Sequence, residues 1–131
     1  MVKGLLLFSI LLSCLSCTKE PETISRLEIF DLGKSYDESI KLVLADEIGG
    51  GPICEGRDGE VPYGEGCQRV FVIQVSGLNL RCVEFDSAES AKVEAKKIGE
   101  YYSKNWVFDE VVGESPLEVF VKNAFGAELG K

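Results

Sequence analysis

Histidine is absent from the 131 residues. Its absence removes Ser-His-Asp and Cys-His nucleophilic catalysis and the commonest side-chain metal ligand. The nucleophile elbow G-x-S-x-G and the zinc-protease helix H-E-x-x-H are missing too, and no G-x-x-x-x-G-K-[ST] loop is there to cradle a phosphate. Asp58-Gly59-Glu60 does not meet the calcium-loop pattern. Positive charge is scarce: 14 Lys and Arg stand against 22 Asp and Glu, a net charge of −8. No basic cluster could neutralise a row of phosphates, so nucleic acid is not an expected partner. No apolar run reaches the roughly 18 residues a membrane-crossing helix needs, which excludes a bundle of spanning helices.

What the sequence does have begins at its first residues. MVKGLLLFSILLSCLSCTKE carries Lys3, then an apolar stretch from Gly4 to Leu12 broken only by Ser9, then small residues from Ser13 to Cys17. Positive, apolar and small-residue zones in that order make a secretory signal. Each candidate cut falls directly before a cysteine, and in this the segment resembles the lipobox of bacterial lipoprotein precursors. Leu11-Leu12-Ser13-Cys14 agrees with that pattern at Leu11 and Ser13, and Cys14-Leu15-Ser16-Cys17 agrees at Ser16. A cut before Cys14 leaves a signal shorter than the roughly 15 residues expected, whereas a cut before Cys17 reaches that length. Cys17 is therefore favoured as the lipidated residue, with Cys14 as the alternative. The resemblance implies a signal peptide at 1–16, a lipidated cysteine and polar tether at 17–23, and a palmitate-type anchor. It also implies residence in the bacterial cell envelope, held to the bilayer and facing the periplasm or the cell surface. It is confined to the opening segment and implies nothing about the domain at 24–131.

Beyond the signal stand Cys54, Cys67 and Cys82, an odd number for an oxidising compartment. Cys54 and Cys67 bracket CEGRDGEVPYGEGC, which is polar, Gly-rich and without apolar period. Closing a loop of that size restricts the unfolded chain by about 3 kcal/mol. Cys82 lies in LNLRCVEF, where alternation reads as a strand and a lone cysteine behaves as a small buried hydrophobe. The expected pairing is a Cys54–Cys67 disulfide with Cys82 reduced. Cys-x12-Cys lacks the close ligand pairs of a zinc site, and no metal or other cofactor is expected. Glu55, Asp58, Glu60 and Glu65 are the residues that would suit a hard cation.

Along the domain, ISRLEIFD at 24–31 reads as a strand or a short helix. Ser35-Tyr36-Asp37-Glu38 matches a capping box, and Ile40, Val43, Leu44 and Ile48 then recur at helical spacing until Gly49-Gly50-Gly51-Pro52, which predicts a first helix. RVFVIQV and LRCVEF flank Ser76-Gly77-Leu78-Asn79 as the two strands of a hairpin. Asp86 and Glu89 mark the start of a second helix. Its apolar line is Ala88, Ala91, Ala95, Ile98 and Tyr102, with Glu94 off that line. WVFDEVV at 106–112 reads as a strand. Ser115-Pro116 then opens a helix whose apolar face is Leu117, Phe120, Val121, Ala124 and Phe125. These elements predict one α+β domain, a ferredoxin-like βαββαβ two-layer sandwich with an extra C-terminal helix. If the first strand fails, a three-stranded antiparallel sheet packed by helices takes its place.

The loop bracketed by Cys54 and Cys67 is the one long segment that no core explains, and such loops often carry function. Tyr63 at its C-terminal part offers contact area at small entropic cost, although its ring also suits covering the end of a sheet. Glu60 and Glu65 flank it as acidic contacts. Carboxylate chemistry would need Glu60 with Glu65, or Asp109 with Glu110, in unlike environments inside a cleft. Tyr101, Tyr102, Trp106 and Phe108 read as core. The expectation is a non-enzymatic, lipid-anchored binding or envelope-maintenance module. Its partners would be a protein or other envelope component and, through the anchor, the bilayer. The alternatives are an acidic inhibitor or immunity factor steered to a cationic envelope enzyme and a small carboxylate hydrolase.

Overall fold

The computed structural model describes residues 22–43, 54 and 62–131. Cys14, Cys17, Leu44, Ile48, Glu55, Asp58 and Glu60 lie outside the described residues. The described chain is an α+β fold with the order α1 (Arg26–Tyr36), β1 (Lys41–Val43), β2 (Cys67–Val75), β3 (Leu78–Phe85), α2 (Ala88–Ile98), β4 (Tyr101–Ser103), β5 (Trp106–Asp109), α3 (Ser115–Phe125) and β6 (Glu128–Leu129). The six strands form one antiparallel sheet in the order β1-β2-β3-β5-β4-β6. Among the described residues no helix is long and apolar enough to cross a membrane.

Strand alternation divides the core. Phe71, Ile73, Val75, Leu80, Cys82, Trp106 and Phe108 face α1 and α3, where Ile29, Leu117, Phe120, Val121 and Phe125 complete the main cluster. This helix pair and the sheet form the principal two layers. Val83, Phe85 and Val107 point the other way, onto Ala91 and Ala95 of α2, with Tyr63 and Tyr102 at the margin. Small alanines let α2 sit close to the strands, and both faces of the central strands β3 and β5 are thereby buried.

The hairpin is as the alternation predicts, with Ile73 opposite Leu80 and Val75 opposite Leu78. Its turn is the two residues Ser76 and Gly77, both at positive φ (51° and 78°). That mirror-image geometry matches the twist of the flanking strands and favours glycine at the second position. The α3 face is also as expected, with Pro116 in the first turn and Gly126 closing the helix in the left-handed region, although Ser115 is the first helical residue rather than the cap, a position Glu114 takes without a side-chain bond.

Four expectations are corrected. The first helix does not start at Ser35. Ser25 caps it, accepting from Glu28 N while the Glu28 carboxylate accepts from Ser25 N, so an equivalent S-x-x-E box ten residues earlier takes the role. Ser35 instead lies in the last turn, where its hydroxyl donates to Asp31 O. The helix ends as Asp37 accepts from Ser39 N and Oγ, and Ile40 and Val43 enter the core edge and β1. Second, α2 is capped by Ser87, which accepts from Ser90 N, rather than by Asp86. Third, Tyr102 is not on that helix: Gly99 ends it at φ 71°, and Tyr101–Ser103 returns as a strand paired with β5. Fourth, the chain order is αβββαββαβ rather than βαββαβ, because residues 24–31 supply a helix and two short strands, β4 and β6, join the sheet.

Candidate functional site

The Cys54–Cys67 disulfide is formed, with Cα atoms 6.0 Å apart. Cys82 is a buried free thiol, and burial pushes its pKa far up, which makes it inert. The disulfide closes the loop at the start of β2, and the C-terminal side of the loop is moored to three further elements.

Tyr63 makes the first mooring. Its backbone N donates to Cys54 O at 3.0 Å. Its hydroxyl donates to Asp109 Oδ2 on β5 and accepts from Arg81 Nε on β3 at 2.7 Å, while the Arg81 guanidinium lies 5.6 Å from its ring centroid. Arg81 and Asp109 are register partners, so one phenol bridges two neighbouring strands. Desolvation first, then the Asp109 hydrogen bond and charge, holds the phenol protonated well above its usual range, with Arg81 opposing. Asp109 is only 5% exposed; its other oxygen accepts from Glu110 N at 2.8 Å. Glu110 sits at φ 62°, a left-handed conformation that ends β5 and turns its amide back onto the carboxylate.

Glu94 of α2 makes the second mooring. At 3% exposure it is buried, and its carboxylate accepts from Gly64 N. A Cβ at Gly64 would lie 3.1 Å from Glu94 Oε1, a tight contact from which the carboxylate would have to give by a few tenths of an ångström. The third mooring is main chain: Asp86 N donates to Gly66 O at 2.8 Å, and Gly66 at φ 93° has no room for a Cβ beside Asp86 Oδ1. Glu65, between these two glycines, is exposed.

Tyr63 is thus half-buried, with its ring on the α2 cluster and its hydroxyl engaged, while Glu65 faces water. The Asp109–Glu110 pair is not set up as acid and base: Asp109 is committed to Tyr63 and to the Glu110 amide, and Glu110 is exposed. Among the described residues no cluster of potential ligands could hold a metal ion. The sequence reading missed Arg81, Asp109 and Glu94 as the residues that position the loop. The available signal was slight: Arg81 lies within β3, which also holds Asn79 and Glu84, and Asp109 is the last residue of β5. Comparison with protein-family models, with curated proteins and with solved structures gives no match.

Proposed function

We propose that this chain is a lipid-anchored, non-enzymatic binding or envelope-maintenance module of the bacterial cell envelope, carried on Cys17 with Cys14 as the alternative. Its contact surface is the Cys54–Cys67 loop, with Glu60 and Glu65 as acidic contacts and the half-buried Tyr63 as the anchor. The observation that carries this reading is the mooring of residues 62–67, the C-terminal side of the loop, by a disulfide, a phenol bridge, a buried carboxylate and a main-chain bond. Residues restrained in this way, Tyr63 and Glu65 among them, lose little entropy on binding. The net charge of −8 favours a cationic partner through steering, which also keeps open the inhibitor or immunity-factor reading. That charge becomes one unit more negative if Lys3 leaves with the signal.

Two measurements test the proposal. The intact mass of the membrane-extracted protein is expected to show an acylated N-terminus at Cys17. Crosslinking capture from envelope extract is expected to return a partner that is lost with Glu65→Lys and with the paired substitution Cys54→Ser and Cys67→Ser. A partner retained equally by both variants places the contact elsewhere.

A further inference from the structure

Where the chain enters the folded domain is fixed. Ile24 N donates to Asn105 Oδ1 and Ile24 O accepts from Trp106 Nε1, both at 2.8 Å. Asn105 is buried and in turn binds both main-chain groups of Phe85: its Nδ2 donates to Phe85 O and its main-chain O accepts from Phe85 N. Beside this point, between the start of α1 and the sheet, lies a groove of about 520 Å³ lined by Arg26, Leu27, Phe30, Leu42, Arg69 and Phe71, among others. Leu27 is 68% exposed and Leu42 43% exposed. Arg26 is also exposed, and the Arg69 side chain, although 2.8 Å from Glu84, remains half exposed. Exposed leucines flanked by guanidinium groups suit the boundary between headgroups and acyl chains.

From these observations we propose that this end of the domain lies against the bilayer, with Leu27 and Leu42 among the outermost acyl segments and Arg26 and Arg69 at the lipid phosphates. The inference rests on the lipid-anchor reading. Seven peptide units separate Cys17 from Ile24, a reach of at most about 25 Å even when fully extended. Since Ile24 is clasped at this end, the short tether brings the groove, rather than the opposite end, to the membrane. The opposite end holds the Ser76-Gly77 turn, Tyr36 and Val119.

The test uses the protein as extracted from membranes, reconstituted into vesicles of phosphatidylethanolamine and phosphatidylglycerol. An environment-sensitive thiol dye is placed by Leu27→Cys or by Val119→Cys, both exposed sites, and the unsubstituted protein labelled alongside serves as the blank. Relative to detergent solution, aqueous iodide quenching at position 27 should fall about threefold on the vesicles, with little change at position 119. Equal quenching at both positions, or shielding at 119 alone, while the protein floats with the vesicles overturns the orientation and leaves the anchor reading standing. If the protein carries an unmodified N-terminus and does not float, the anchor reading falls and this proposal falls with it.

Discussion

At Tyr63 a single hydroxyl joins a loop to two strands. Removing it by Tyr63→Phe keeps the ring on the α2 cluster but deprives Asp109 and Arg81 of a partner. Leaving a buried carboxylate short of a donor costs about 1–3 kcal/mol, to be read from urea unfolding at neutral pH. Proton linkage gives the same pair a pH signature. The folded phenol keeps its proton to a higher pH than the unfolded chain, whose tyrosines release near pH 10. The advantage of the parent over Tyr63→Phe is therefore whole below about pH 10 and shrinks as pH rises beyond it. An advantage that grows with alkalinity would contradict the network. Tyr63 and Asp109 are each legible as candidates in the sequence, but their pairing, and the part of Arg81, are not. Arg81 and Asp109 lie 18 and 46 positions away, and no local pattern links residues across such distances.

Among the helices, α1 was the hardest to read, and Gly33 shows why. Inside an 11-residue helix, glycine argues against helix by propensity. Here it is needed for close packing: a Cβ at position 33 would stand 2.9 Å from Ile40 Cδ1 and 3.2 Å from Phe120 Cζ. Gly33→Ala therefore sets a propensity gain of about 1 kcal/mol against an overpacking cost of about 1–3 kcal/mol. Ile40 is buried, which limits the room for its Cδ1 to move, so the thermal midpoint is expected to drop; an unchanged or higher midpoint would show that the contact yields. The hairpin and α3 were legible because periodicity and punctuation agree there, at Ser76-Gly77, Pro116 and Gly126. Two S-x-x-E boxes offered rival starts for the first helix, and only the packing of Ile29 and Gly33 against α3 selects between them. Strands of two or three residues such as β6 and β4 are too short to show a period, so sheet pairing alone defines them.

Across the whole molecule, the disulfide acts mainly on the unfolded chain. Changing Cys54 and Cys67 together to serine should lower the free energy of unfolding by about 3 kcal/mol. The Gly64 amide should keep part of its hydrogen-exchange protection, because Glu94 still holds it. Complete loss of that protection would mean the disulfide alone orders the loop. The class of fold and the pairing of the cysteines could be read from the sequence. The positioning residues of the loop could not, since they act through contacts between elements. Ile24 is held through its own main chain to Asn105 and Trp106, and Asn105 is bound to Phe85, which lies opposite Cys67 in the sheet. Under the lipid-anchor proposal, a pull on the chain before Ile24 would load Asn105 and Trp106, and through Asn105 reach Phe85 opposite Cys67 at the foot of the disulfide loop.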